Sequence, residues 1–257
     1  MSKSIEKKFS ELLEIMDKLR YECPWDKIQT AESLRQYLLE ETYEVIESID
    51  NQDWQELGKE LGDLLLQIVF QSAIAKEKGI FSIEDVIENI NRKLIERHPH
   101  VFAEKKVNSD KEVADNWEII KMKSENRKSL LSGIPKQIPA LLYAQRMQEK
   151  ASKIGFDWKE IESVVQKLEE EVIELKSALK KKDRRNIEEE IGDTLFTLVN
   201  MSRFLKLNAE DSLRLTNNKF EKRFQFIEKH YNGDIDLMKQ ATLQELDELW
   251  EKAKTEA

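Results

Sequence analysis

Glycine and proline are scarce in this chain, with 7 Gly and 4 Pro in 257 residues. Few backbone breakers leave few places for tight turns or bulges, and no segment reads as part of a β-sheet. Cysteine is scarcer still. The single Cys23 excludes an internal disulfide, and with 3 scattered His it cannot supply a zinc site at the usual ligand spacing. No apolar segment of signal-peptide type stands near the N-terminus, and no apolar run approaches the roughly 18 residues of a membrane span. Those absences point to the cytoplasm. Positive charge is also short: 42 Lys and Arg face 51 Asp and Glu, a net charge of −9. That balance argues against a nucleic-acid polymer as partner. Free nucleotides are not excluded, because they need only a local basic cluster.

What is abundant is Glu, Lys, Leu and Ile, and 40% of the residues are hydrophobic. The chain can build a core, and the composition predicts an all-α fold. Residues Glu6 to Tyr21 read as a helix, with Phe9, Leu12, Leu13, Met16 and Leu19 on one stripe. Pro24 stops it, and Cys23-Pro24-Trp25-Asp26 is expected to turn. Thr30 is the expected cap of a helix over Ser33 to Ile49, followed by a long one from Trp54 to Lys78. Ser82 then caps Ile83 to Arg97, with Glu84 and Asp85 well placed near the positive helix end. Between Ala103 and Ser132 the chain is more polar, with one helix expected around Val113 to Asn126. A joint follows at Ser132-Gly133-Ile134-Pro135 and Pro139. Later helices are expected at Ala140 to Lys153, Ile161 to Lys180, Arg185 to Leu205, Ser212 to His230 and Leu243 to Lys254. The expected division is 1–105, a connecting segment 106–135, and 136–257.

An acidic pattern occurs twice at one constant offset. Glu40-Glu41-x-x-Glu44 followed by Glu60-x-Gly62-Asp63 returns as Glu170-Glu171-x-x-Glu174 followed by Glu190-x-Gly192-Asp193. A gapless offset through both clusters indicates a duplicated unit. Glu41 and Glu44 share a helix face, as do Glu60 and Asp63. A polar turn at Asp50-Asn51-Gln52-Asp53 makes the two helices antiparallel, so the carboxylate pairs can face each other. The second copy breaks likewise near Lys181-Lys182-Asp183. Four converging carboxylates repel one another unless a hard divalent cation sits among them, and Mg2+ takes oxygen ligands and bridges to phosphates. A single E-E-x-x-E in a Glu-rich helical chain is usually a solvated face; here the pattern repeats beside apolar stripes. Gly62 and Gly192 stand at matching places inside helical patterns, where glycine costs about 1 kcal/mol relative to alanine. Their presence implies close helix approach or room for a ligand.

Basic residues extend the repeat. Lys93 and Arg97 are one turn apart, and Lys219 and Arg223 answer them slightly short of the acidic offset, which implies a small deletion in the connection before them. Beside the carboxylates such pairs can hold phosphates.

Together these residues resemble the MazG family of nucleoside triphosphate pyrophosphohydrolases in its two-repeat form. The resemblance rests on Cys23-Pro24-Trp25-Asp26-Lys27, Tyr37-Leu38-Leu39-Glu40-Glu41, Glu60-Leu61-Gly62-Asp63 and Glu96-Arg97-His98-Pro99-His100-Val101-Phe102. It continues in Gly133-Ile134-Pro135, Gly155-Phe156-Asp157-Trp158, Glu190-Ile191-Gly192-Asp193 and Asn218-Lys219-Phe220. The resemblance implies tandem helical bundles completed by a homodimer. It also implies hydrolysis of NTPs and dNTPs to monophosphate and pyrophosphate, with Mg2+, broad base specificity and water attack at the α-phosphorus. The metal ligands would be Glu171, Glu174, Glu190 and Asp193, and the substrate contacts Lys167, Lys219, Arg223, Trp250 and Lys254. Glu170 flanks the ligands and is a candidate base. Glu41, Glu44, Glu60 and Asp63 would form a second metal set, with Lys93 and Arg97 as its phosphate contacts. Only the second copy is followed by Trp250 and Lys254, so the C-terminal half carries the main site. Two rivals are weighed: an acidic helical interaction protein without catalysis, and a narrow dUTP or dCTP pyrophosphatase.

Overall fold

The computed structural model describes residues 2–102 and 129–256. They form helices joined by short turns, with no strand among the described residues. The chain divides into two compact units, residues 1–117 and 118–257. The helix expected around Val113 to Asn126 lies outside the described residues. No helix among them is long and apolar enough to cross a membrane.

The first unit contains α1 (Ser2–Glu22), α2 (Pro24–Ile28), α3 (Arg35–Asp50), α4 (Trp54–Glu77), α5 (Ile83–Arg97) and α6 (Pro99–Phe102). Its centre is α4, against which α1, α3 and α5 pack. Met16, Leu34, Val69, Phe70 and Ile74 form the buried core, flanked by Phe9, Leu12, Leu13 and Leu66. Phe9, Leu12, Leu13 and Met16 of the stripe expected on α1 are thus its core face, while Leu19 is left exposed. Arg20 reaches from α1 to Glu77 on α4 with two hydrogen bonds (2.7 and 2.5 Å), and also donates to the carbonyl oxygens of Asp26 and Gln29. One guanidinium therefore ties the α2 segment to the end of α4.

The second unit contains α7 (Ala140–Ser152), α8 (Ile161–Lys181), α9 (Arg184–Phe204), α10 (Ala209–His230), α11 (Ile235–Gln240) and α12 (Leu243–Glu256). Here α9 is central, packing on α7, α8 and α10, while α12 lies against α10. Val164, Ala178, Val199, Ile227, Leu249 and Ala253 are buried between them. Gln145 on α7 accepts from Ala209 N (3.1 Å) and so fixes the start of α10.

The duplication extends to the turn geometry. Gln52 and Lys182, equivalent positions, both adopt the left-handed conformation (φ 56° and 57°). A capping aspartate follows each: Asp53 accepts from the backbone N–H of Gln55 and Glu56, and Asp183 from that of Asn186. A non-glycine residue there costs roughly 1–2 kcal/mol, which the cap and the packed hairpin offset.

Helix boundaries differ from expectation in places with clear causes. Cys23-Pro24-Trp25-Asp26 does not simply turn: Pro24 occupies the first position of α2, where its missing N–H and fixed φ suit a helix start. Thr30 and Ser33 instead hold each other's backbone N–H in a turn ahead of α3, which begins at Arg35. Ser82 caps α5 in a reciprocal box with Asp85. The helix expected from Ser212 begins at Ala209, because Asn208 caps it through Glu210 N and Asp211 N. The offset relating Lys93 to Lys219 also relates Ser82 to Asn208, so the shortened connection accounts for this cap. Two short helices, α6 and α11, carry too few residues for a periodic signal.

Candidate functional site

Each acidic set is assembled by one hairpin. In the first unit, α3 runs into α4 through the turn at Gln52, and carboxylate oxygens of Glu41, Glu60 and Asp63 come within 4.8 Å of one another. In the second, α8 and α9 bring Glu171, Glu174 and Glu190 together to the same limit. The fourth acid of each set is a near neighbour. The charge of Glu44 acts on Glu41 and Glu60, and that of Asp193 acts on Glu190. All eight expected acids are therefore gathered into two clusters, with different trios closest.

Negative charge is concentrated in both clusters. Burial, then the charges of Glu174, Asp193 and Glu171, hold the Glu190 carboxyl above its ordinary pKa. Glu41 is raised by burial and by Glu44 and Asp63, and Glu60 by burial and Glu44. Glu171 is the most enclosed, at 5% exposure. Lys167, one helical turn before it, reaches both Glu170 and Glu171 at 3.0 Å, and those bonds push the ammonium pKa upward. Lys167 thus neutralises one side of the second cluster, and Glu170 shares that bond. An all-oxygen, acid-rich set of this kind fits a hard divalent cation.

Of the two roles open to Gly62 and Gly192, close helix approach does not apply. A Cβ built at either meets nothing within 4 Å. The space beside the acids on α4 and α9 is open.

The basic residues lie on the next helix. Lys93 and Arg97 are on α5, which packs on α4; Lys219 and Arg223 are on α10, which packs on α9. The Arg223 guanidinium lies over the Trp250 ring, 5.6 Å from its centroid. Phe220 is 5.1 Å from the same ring and stacks with Phe224. Trp250 is therefore held by α10 as well as by α12. Lys254 pairs with Glu251 within α12. No counterpart of α12 lies among the described residues of the first unit.

The sequence reading missed a polar group further along α9. Arg203 bonds Asp157 of the Gly155-Phe156-Asp157-Trp158 turn (3.0 Å) and donates to the Asn200 side-chain oxygen (3.1 and 2.8 Å). A signal was present: the repeat places Phe70 and Ala73 of the first copy where the second has Asn200 and Arg203. Polar residues replacing core residues at matched positions mark a changed use of that face.

Comparisons with known proteins show what this chain is similar to. The model of the MazG nucleotide pyrophosphohydrolase domain matches residues 29–102 and again 159–226, one match on each acidic hairpin. The chain is 48% identical to a nucleoside triphosphate pyrophosphohydrolase/pyrophosphatase MazG of Thermotoga maritima, covering 96% of this chain and 95% of that protein. It is 41% identical to the nucleoside triphosphate pyrophosphohydrolase of Escherichia coli, covering 95% of each. A crystal structure of a mazG-related protein from Thermotoga maritima aligns with 44% of this chain and 97% of that one, at 30% identity and a TM-score of 0.39.

Proposed function

The chain belongs to the MazG family of nucleotide pyrophosphohydrolases, and from that premise we propose that it hydrolyses nucleoside and deoxynucleoside triphosphates to the monophosphate and pyrophosphate. The observation that carries this reading is the clustering of Glu171, Glu174 and Glu190 oxygens within 4.8 Å, beside a helix bearing Lys219 and Arg223. Glu171, Glu174, Glu190 and Asp193 would hold Mg2+. Bound there, the cation supplies charge neutralisation and polarisation of the α-phosphoryl group.

The remaining roles fall to the chain itself. Lys219 and Arg223 hold the β- and γ-phosphates and offset the charge of the departing pyrophosphate. Water attacks the α-phosphorus; its oxygen bonds to phosphorus as the bond to the bridging oxygen breaks. Glu170, tethered by Lys167, would take the proton. Trp250 offers a π-face that any base can stack on, in keeping with broad base specificity. The net charge of −9 suits a free nucleotide rather than a polymer. The test is product analysis with ATP, dGTP, dCTP and dUTP, with Mg2+ or EDTA. Monophosphate plus pyrophosphate from several nucleotides, abolished by EDTA, is the expected result; diphosphate plus orthophosphate refutes attack at the α-phosphorus.

Metal binding should follow pH with a definite sign. The Glu190 carboxyl keeps its proton to higher pH when folded than when unfolded. Its contribution to metal-free stability is complete below the ordinary carboxylate range and is lost as pH rises through the raised pKa. Mg2+ needs the deprotonated ligands. The rise in Tm on adding Mg2+ is therefore expected to be small near about pH 5 and to grow toward about pH 7. A thermal-melt series that shows the reverse trend would refute this ligand set.

Lys167 competes with any cation for Glu171. Lys167→Met should tighten Mg2+ binding about two- to fivefold, the worth of a partly exposed ion pair, while raising KM for the nucleotide. Isothermal titration with Mg2+ alone separates the two effects.

We also propose that the protein is a homodimer. Leu61, Leu65 and Ile68 on α4 and Ile191, Leu195 and Leu198 on α9 are all substantially exposed, forming apolar stripes at matching positions. Leu195→Glu is expected to shift the sedimentation coefficient to that of a single chain; an unchanged value excludes the α9 stripe as interface.

A further inference from the structure

Lys167 is bound into the second acid set more closely than a surface lysine on a helix needs to be. Its Nζ lies 3.0 Å from a carboxylate oxygen of Glu170 and 3.0 Å from one of Glu171. Glu171 is 5% exposed, and its oxygen is within 4.8 Å of those of Glu174 and Glu190. A carboxylate so enclosed is costly to keep ionised without a counter-charge. Helix propensity does not account for the pair, because a lysine one turn before a glutamate is the less favourable order along an isolated helix. The negative field of the set does account for it. Lys167 supplies the positive charge that a bound cation would otherwise bring.

The contact is also one that can be given up. Lys167 carries a compact charge on a flexible four-carbon stem, and its side chain is 34% exposed against 7% for Glu171. The ammonium has a way out; the carboxylate does not. Open space lies along α9 beside the acids, where a Cβ at Gly192 meets nothing within 4 Å. At equal distance a divalent cation attracts a carboxylate twice as strongly as an ammonium does, whereas K+ or Na+ has no such advantage over a tethered group. The first copy offers an internal control. Its residue equivalent to Lys167 is Tyr37, which brings no positive charge to Glu41 and packs edge-on to Trp25, with ring centroids 5.8 Å apart.

We propose that Lys167 is an exchangeable counter-ion built into the second repeat: it neutralises Glu170 and Glu171 while no metal is bound, yields Glu171 to an entering divalent cation, and is thereby freed to meet the triphosphate. This role rests on the pyrophosphohydrolase reading of the acid set and adds an order to it. Lys167 turns to substrate only once the cation is in place, so metal and nucleotide favour each other's binding. The first repeat, with Tyr37 at that position, has no such exchange.

The test is the reactivity of Lys167 toward an amine-acylating reagent, read by peptide mass spectrometry on the full chain. Lys176, exposed on the same helix, is the reference. Only a neutral amine is acylated, so an ammonium held by two carboxylates reacts slowly. Labelling of Lys167 is expected to be low in EDTA and to rise about two- to fivefold with Mg2+, the worth of the ion pair given up. It should fall again when a non-hydrolysable ATP analogue is added with Mg2+, while Lys176 follows none of these changes. An equal rise in KCl at matched ionic strength would mean screening of an ordinary surface pair and overturns the inference. So does unchanged or falling labelling of Lys167 when calorimetry shows Mg2+ binding that Glu174→Ala weakens. A rise that the analogue does not reverse overturns the transfer to substrate. Identical Mg2+ heats in wild type and Glu174→Ala refute the ligand set itself, and the exchange with it.

Discussion

Glu174→Ala is expected to lower kcat/KM for ATP at least about a hundredfold, whereas Glu44→Ala leaves it within about threefold. Removing a partner that merely orients a metal ligand costs about 10- to 100-fold in affinity or activity, and a direct ligand should cost no less. Glu174 lies with Glu171 and Glu190 in the closest trio of the second cluster. Its side chain is exposed, so truncation should change stability by no more than about 0.5 kcal/mol. Relief of repulsion with Glu190 acts in the opposite sense to any lost contact. A Tm in EDTA close to that of wild type, with turnover lost, therefore separates a ligand from a structural acid. Glu44 occupies the equivalent place in a copy with no α12 counterpart among the described residues. Equal losses in both variants would refute the assignment of the main site to the second repeat. Turnover undiminished in Glu174→Ala would refute the ligand set.

Arg223→Ala should lower kcat/KM about 10- to 150-fold, the range for losing one charge-assisted hydrogen bond worth about 1.5–3 kcal/mol. The effect should fall on phosphate binding, because Arg223 projects from α10 beside α9, and α10 also stacks Phe220 and Phe224. Arg223→Lys is expected to recover only part of the loss: it restores the charge but not the planar two-toothed fork. The same guanidinium covers Trp250, so Arg223→Ala should also shift tryptophan emission, reporting on ring position independently of turnover. A variant with altered emission and intact kcat/KM would leave Arg223 a support for Trp250 and nothing more.

The helices and the duplication could be read from residues because both are written in spacing. Sparse Gly and Pro, apolar stripes at helical period and polar turns placed most helices within a few residues. The equivalent capping aspartates Asp53 and Asp183 obey the repeat without exception. The helix expected from Ser212 begins at Ala209 under the Asn208 cap, since several short polar residues stand there and only the backbone decides which one caps. Pro24 behaved as a helix starter rather than a stop alone, because a proline's effect depends on which side of it the helix lies.

At the site, the sequence by itself determined which acids belong together: one residue in three or four along a helix shares a face, and an antiparallel partner brings the second pair opposite. It also determined that the set exists twice. Tertiary structure alone decided what surrounds each set. Whether Lys167 meets substrate or the acids depends on rotamers and on the burial of Glu171, and here it bonds Glu170 and Glu171. Whether Arg223 and Trp250 meet depends on α12 folding back on α10, a contact between residues far apart in the chain. That Asn200 of α9 meets Arg203, itself held by Asp157, whereas Phe70 at the equivalent place in the first repeat packs near Trp25, depends on side chains from several segments at once. Spacing along one helix is a local property that a sequence states directly; shape and charge between helices arise only when distant segments pack.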